Sequence, residues 1–119
     1  MNEGKKVLLI EDDTFLSSLM KTRLEKEGFI VLQAFDGEEG VQLLKKEKPN
    51  LIILDLVMPN ASGFEMMEHL SMNVEFNQIP LVVLSNLAQE SDVQKAKSLG
   101  AKAFFIKIRT SIDDVAATR

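Results

Sequence analysis

The stretch VLLIEDD, residues 7–13, joins an apolar run to three consecutive acidic residues. The apolar part has no polar residue at alternate positions, which is typical of a strand buried on both faces of a parallel sheet. Residues 29–35, with Gln33 in the middle, predict a weaker strand nearer an edge. Three further compact apolar runs predict the remaining strands, at residues 51–54 (LIIL), 81–84 (LVVL) and 104–106 (FFI).

Helical patterns lie between these runs. An apolar stripe at helical spacing predicts a first helix that buries Leu16, Leu19, Met20 and Leu24. A capping residue followed three positions later by glutamate predicts that the second helix starts at Asp36 and the third at Ser62. A fourth helix is predicted before Gly100, and a short fifth from about Ser111.

Strand and helix alternate five times, and this order predicts an α/β fold. The expected architecture is a doubly wound, mostly parallel sheet of five strands with helices on both faces. The 119 residues have room for one domain, residues 1–119.

Composition excludes several classes of function. The chain has no cysteine, which rules out disulfides and thiolate metal sites, and its one histidine, His69, rules out a site with two. The 14 Lys and Arg against 18 Asp and Glu give a net charge of -4, which argues against direct nucleic-acid binding. No apolar run is long enough to span a membrane, so we expect a cytoplasmic domain.

Polar residues follow the ends of four predicted strands. Because the carboxyl ends of parallel strands meet at one edge of a sheet, these side chains are expected to share a site. Each has a simpler structural explanation, such as an N-cap for the first helix in the case of Asp13. The residues that reach this edge are Glu11, Asp12, Asp13, Asp55, Ser85 and Lys107.

Together these residues indicate phosphoryl transfer. Close carboxylates repel one another, and Mg²⁺ relieves that repulsion because it prefers hard oxygen ligands. Glu11 and Asp12 are expected to hold the metal, while the carboxylate of Asp55 attacks phosphorus and forms an acyl phosphate. Lys107 and Ser85 are expected to contact phosphoryl oxygens.

Four segments resemble the receiver domains of bacterial response regulators, and together they cover nearly the whole chain. They are LLIEDD (8–13), LIILDLVMPNASGFE (51–65), VVLSN (82–86) and GAKAFFIK (100–107). The resemblance implies a flavodoxin-like sheet of order 2-1-3-4-5 flanked by five helices. It also implies a signalling domain, not an enzyme, that receives its phosphoryl group from a histidine kinase, a phosphotransfer protein or acetyl phosphate.

The resemblance gives each site residue a role. Asp55 matches the phosphoacceptor, Glu11 and Asp12 match the Mg²⁺-binding acidic pair, and Val57 would add a backbone carbonyl to the ion. Lys107 matches the lysine that contacts the phosphoryl group.

The family's switch elements also have counterparts. Ser85 matches the switch hydroxyl and Phe104 the switch aromatic, which moves inward when the hydroxyl turns toward the phosphoryl group. The face formed by the fourth helix, fifth strand and fifth helix is the expected surface for a downstream protein or an output domain. Lys95, Lys97 and Lys102 belong to this face.

Some positions depart from the family pattern. Ile108 stands where proline usually follows the lysine, so we expect a trans Lys107–Ile108 bond or a strained cis one. Ser62 replaces a frequent aspartate but keeps a helix-capping group. Val57 and Leu87 are apolar where the hydrolytic water approaches, which predicts slow self-dephosphorylation.

Other functions remain open on the sequence. Ile108 favours an adaptor of the same fold that acts without phosphorylation. A Mg²⁺-dependent phosphatase would need a DxD pair, whereas leucine and valine follow Asp55. A nucleotide-binding domain would need a glycine-rich phosphate loop, which the sequence does not contain. A flavin-binding domain is disfavoured because the acids at 11–13 would repel a flavin phosphate. His69 is expected at the surface with no phosphotransfer role.

Overall fold

The computed structural model describes residues 4–56, 63–85 and 90–106. The strands are β1 (Lys6–Ile10), β2 (Ile30–Ala34), β3 (Leu51–Leu54), β4 (Leu81–Ser85) and β5 (Ala103–Ile106). The helices within these ranges are α1 (Thr14–Lys26), α2 (Gly37–Glu47), α3 (Gly63–Ser71) and α4 (Glu90–Ser98). None of these helices is long and apolar enough to cross a bilayer.

All strand pairs are parallel, and the sheet order is β2-β1-β3-β4-β5. This confirms the doubly wound α/β fold and the order that the family resemblance implied. The expected fifth helix, from about Ser111, lies outside the described residues.

The core has two halves because successive side chains of a strand point to opposite faces of the sheet. On one face, Leu8 and Ile10 of β1 belong to a cluster with residues of α2, α3 and α4. On the other, Val7 and Leu9 belong to a cluster with residues of α1. All four side chains are at most 1% exposed, which explains why this strand has no alternating polar positions.

Strand β2 lies at an edge of the sheet, as its weaker pattern predicted. Ile30 is 47% exposed, and only Ala34 is fully buried. The side-chain amide of Gln33 donates a hydrogen bond of 2.9 Å to Oγ of Ser17 in α1. This bond ties the edge strand to the helix that covers it.

The predicted apolar face of α1 was wrong at one position. Leu19 is 46% exposed, whereas Ser17, Met20 and Leu24 are fully buried. Each residue turns a helix by about 100°, so position 17 lies closer to the line through 20 and 24 than position 19 does. A serine can occupy this buried position because its hydroxyl accepts the hydrogen bond from Gln33.

Side-chain caps start the first two helices. Asp13 caps α1 by accepting a hydrogen bond of 3.0 Å from the Leu16 amide. Asp36 caps α2 by accepting one of 2.8 Å from the Glu39 amide, as the capping-box spacing predicted. Glu39 completes this cap by accepting a bond from the Phe35 amide, also 2.8 Å.

The burial difference between neighbouring residues of α1 is testable. Met20→Ala is expected to lower the free energy of unfolding by about 2–5 kcal/mol, because it leaves a cavity in the core. Leu19→Ala is expected to cost about 1 kcal/mol or less, because that side chain is already half in water. Urea unfolding followed by circular dichroism measures both, and equal losses would contradict the observed face of the helix.

Candidate functional site

The register of β1 and β3 brings two acidic residues side by side. Ile10 pairs with Leu54 at the end of this ladder, and the next residues along the two strands are Glu11 and Asp55. The Asp55 amide donates a hydrogen bond of 3.0 Å to the Ile10 carbonyl, which extends the pairing by one residue. Since neighbouring strands are about 4.8 Å apart, the two carboxylates reach the same point of the sheet edge.

A third carboxylate joins them. Glu11, Asp12 and Asp55 each present one carboxylate oxygen, and these three oxygens all lie within 4.8 Å of one another. Glu11 is only 1% exposed and Asp55 only 4%, whereas Asp12 is exposed. The cluster therefore has a buried base formed by two carboxylates and an open side toward solvent.

The backbone fixes the Glu11 side of this cluster. The Glu11 amide donates to the Ala34 carbonyl at 3.0 Å, which anchors the residue between β1 and the end of β2. The Asp13 amide donates to Oε2 of Glu11 at 3.1 Å, which orients the carboxylate. The side chain of Asp13 is the N-cap of α1, so its simpler structural explanation is the right one.

The donor set fits a small divalent cation. Three carboxylate oxygens close together are hard ligands, and the exposed side leaves room for water and for a phosphoryl oxygen, as Mg²⁺ requires. The residues that could hold such an ion are Glu11, Asp12 and Asp55. Val57, expected to add a carbonyl oxygen, lies outside the described residues.

The hydroxyl of the site comes from β4. Val83 pairs with Leu54, so Ser85 ends its strand just beyond the level of Asp55. Its side chain is fully buried. On β5, Phe104 pairs with Val83 of β4. The ring of Phe104 is partly buried and packs against the core cluster that includes residues of α3 and α4. Lys107, Leu87 and the Lys107–Ile108 bond lie outside the described residues.

A family model described as "Response regulator receiver domain" matches residues 7–116. The chain belongs to this family. Receivers are phosphoacceptor domains of two-component signalling, and they bind Mg²⁺ at an acidic pocket.

Individual relatives agree with this assignment. Protein PilH of Pseudomonas aeruginosa is 32% identical over 102 residues, which cover 86% of this chain and 84% of PilH. The Mn²⁺-bound form of the response regulator Rcp1 has a similar solved structure, with 28% identity, a TM-score of 0.81, and coverage of 95% of this chain and 87% of Rcp1.

Longer relatives match only over their receiver part. The probable transcriptional regulator ycf27 of Porphyridium aerugineum is 34% identical over 105 residues, which cover 88% of this chain. The matched residues make up only 42% of ycf27. The chain thus spans less than half of this relative.

Gly63, which lies beside the backbone of Asp55 and Leu56, was not given a role by the sequence. Gly63, the first residue of α3, donates its amide hydrogen to the Leu56 carbonyl at 2.9 Å. A Cβ atom there would lie 2.6 Å from Cα of Leu56 and 2.7 Å from the carbonyl oxygen of Asp55. The sequence signal was the glycine in LVMPNASGFE, residues 56–65, but only the structure shows which atoms lie next to it.

The lysines of the expected partner face differ in their surroundings. The ammonium of Lys95 lies 4.6 Å from the ring centroid of Phe64 in α3, which is a cation–π distance. Lys97 and Lys102 are exposed. His69 is exposed on α3, in agreement with the expectation of a surface residue.

Proposed function

We propose that Asp55 is the phosphoacceptor of this receiver and that Glu11, Asp12 and Asp55 hold its Mg²⁺, with the carbonyl of Val57 as a further ligand. The observation that carries the proposal is the cluster of three carboxylates within 4.8 Å, built on the ends of β1 and β3. The Mn²⁺-bound form of the relative Rcp1 supports a divalent ion in such a fold.

The proposed reaction forms one bond and breaks another. A carboxylate oxygen of Asp55 attacks the phosphorus atom of the donor, and the bond from phosphorus to the donor's leaving atom breaks. With acetyl phosphate the leaving group is acetate, and with a phosphohistidine it is the imidazole ring. The product on this chain is an acyl phosphate, and bound Mg²⁺ supplies positive charge to the phosphoryl oxygens.

Two further residues are proposed to hold the phosphoryl group. Lys107 directly follows β5, and its ammonium is assigned to one phosphoryl oxygen. Ser85 is assigned to another, since its hydroxyl is carried to the same edge by β4. The donors and the metal would then share the charge that builds up on the equatorial oxygens.

The proposed switch connects this site to the face near β5. When Ser85 bonds the phosphoryl group, Phe104 moves further into the space beside β4, and the population shifts toward the active conformation. Phe104 is only partly buried, so an inward movement would bury more of its ring.

The proposed partners follow from this placement. The phosphoryl donor is a histidine kinase or a phosphotransfer protein in the cytoplasm. The output is a downstream protein or a further domain of a longer chain that contacts α4, β5 and the expected fifth helix. Lys97 and Lys102 offer exposed positive charge on this face. The transcriptional regulators among the relatives favour an output domain.

Phosphorylation of Asp55 is directly testable. Incubation with acetyl phosphate and Mg²⁺ is expected to add one phosphoryl group to the wild-type chain, as measured by intact mass. Asp55→Asn is expected to take up none, because the amide is a far weaker nucleophile than the carboxylate. Omitting Mg²⁺ is expected to prevent the reaction in the wild type as well.

The matched control is Asp36→Asn, which makes the same chemical change at the cap of α2 and keeps a capping side chain. This variant is expected to be phosphorylated like the wild type. A wild-type chain that takes up no phosphoryl group would contradict the proposal and favour the phosphorylation-independent adaptor, which Ile108 already suggests.

The lifetime of the phosphorylated state gives a second test. Val57→Asn combined with Leu87→Asn is expected to speed loss of the phosphoryl group by about tenfold to a hundredfold, because polar groups can orient the attacking water. The control is Val74→Asn, at an 87% exposed position between α3 and β4. This variant is expected to leave the decay unchanged. An unchanged decay in the double variant would mean that these apolar residues do not set the lifetime.

A further inference from the structure

We propose that Gly63 is a positioning residue for the phosphoacceptor: its missing side chain lets α3 start directly against the peptide that carries Asp55. The inference rests on the proposed function of Asp55. It assigns to α3 a task in setting the reaction geometry that is separate from its packing in the core.

The contact is between backbone and backbone. A Cβ on Gly63 would meet Cα of Leu56 at 2.6 Å and the carbonyl oxygen of Asp55 at 2.7 Å. Distances this short do not occur for real Cβ atoms, so either α3 or the 55–56 peptide would have to move. The requirement is for space only, because the φ angle of Gly63 is outside the left-handed region.

The 55–56 peptide cannot relieve this contact by a side-chain rotation. The Asp55 amide donates a hydrogen bond to the Ile10 carbonyl, and the Leu56 carbonyl accepts one from the Gly63 amide. Leu56 itself is only 2% exposed. An added atom at position 63 therefore pushes α3 and the end of β3 apart, and the hydrogen bond between Gly63 and Leu56 passes part of the displacement to the 55–56 peptide. The carboxylate of Asp55 is attached to the same backbone and moves with it.

Gly40 in α2 provides the opposite case. A Cβ there would meet the Cδ1 atom of Ile10 at 2.7 Å and the Cε atom of Met66 at 3.0 Å. Both atoms are ends of flexible side chains, which can shift without moving the backbone. Gly40→Ala therefore disturbs the same core without pushing on the peptide of Asp55.

The two halves of the acidic cluster respond differently to Gly63→Ala. Glu11 is held by β1 and β2 through the Ala34 carbonyl and by the Asp13 amide, and none of these groups is among the atoms nearest to the added Cβ. Glu11 thus stays in place while Asp55, one of the three proposed metal ligands, shifts. Since a misplacement of about 1 Å can cost roughly a hundredfold in rate, phosphorylation is expected to suffer more than metal affinity.

The test compares Gly63→Ala with Gly40→Ala in two measurements. The first is the phosphorylation rate over a range of acetyl phosphate concentrations with saturating Mg²⁺, corrected for the folded fraction from circular dichroism. The second is the dissociation constant of Mg²⁺ from calorimetry. Gly63→Ala is expected to lower the saturated rate by about tenfold to a hundredfold, and Gly40→Ala by less than about threefold. Mg²⁺ affinity is expected to weaken by less than tenfold in Gly63→Ala.

Equal saturated rates in the two variants, with an active wild type, would overturn the role of Gly63 while leaving the proposed function intact. An inactive wild type would instead overturn the proposed function and, with it, this inference. If Gly63→Ala is unfolded in buffer, both variants are compared in trimethylamine N-oxide, which favours the folded state.

Discussion

The parallel register of β1 and β3 is the constraint on which the site depends. Pairing of Ile10 with Leu54 makes Glu11 and Asp55 neighbours, whatever the surrounding loops do. A shift by one residue would send one of these carboxylates to the opposite face of the sheet, because side chains alternate along a strand. Register is strongly specified here, since residues 7–10 and 51–54 are buried on both faces.

This arrangement puts three carboxylates close together, and two of them are nearly inaccessible to water. Like charges repel more strongly in such surroundings than at the surface. A cation that binds only the folded state stabilises it by mass action, by about 2.7 kcal/mol at a hundredfold excess over its dissociation constant. The positive charge of the same ion would favour approach of a phosphoryl group.

The sequence predicted what depends on strand ends and helix caps. Short apolar runs gave the five parallel strands, and the residues after them gave the carboxylate cluster, because chain order alone decides what reaches the edge of a parallel sheet. The sheet order came from the family resemblance, as periodicity does not determine which strands are neighbours. The capping-box spacing at Asp36 identified the start of α2 within one residue.

What the sequence missed depends on contacts between distant segments. Leu19 fits the apolar stripe and Ser17 does not, yet Ser17 is buried and Leu19 is half exposed. A serine is accommodated at the buried position because Gln33 on β2 donates a hydrogen bond to its hydroxyl. In the sequence, Gly63 is indistinguishable from an ordinary turn glycine. The structure shows that it lies against the 55–56 peptide, where a Cβ atom would not fit. Hydrophobic patterns report the environment of a residue on its own element, not the partner that another element brings.

Glu11, Asp12 and Asp55 are proposed to form one cation site at this edge of the sheet. A crystal grown with Mn²⁺ would locate the ion through the anomalous difference peak. One strong peak is expected within about 2.5 Å of carboxylate oxygens of this cluster. A peak only elsewhere, or none at saturating Mn²⁺, would contradict the proposal.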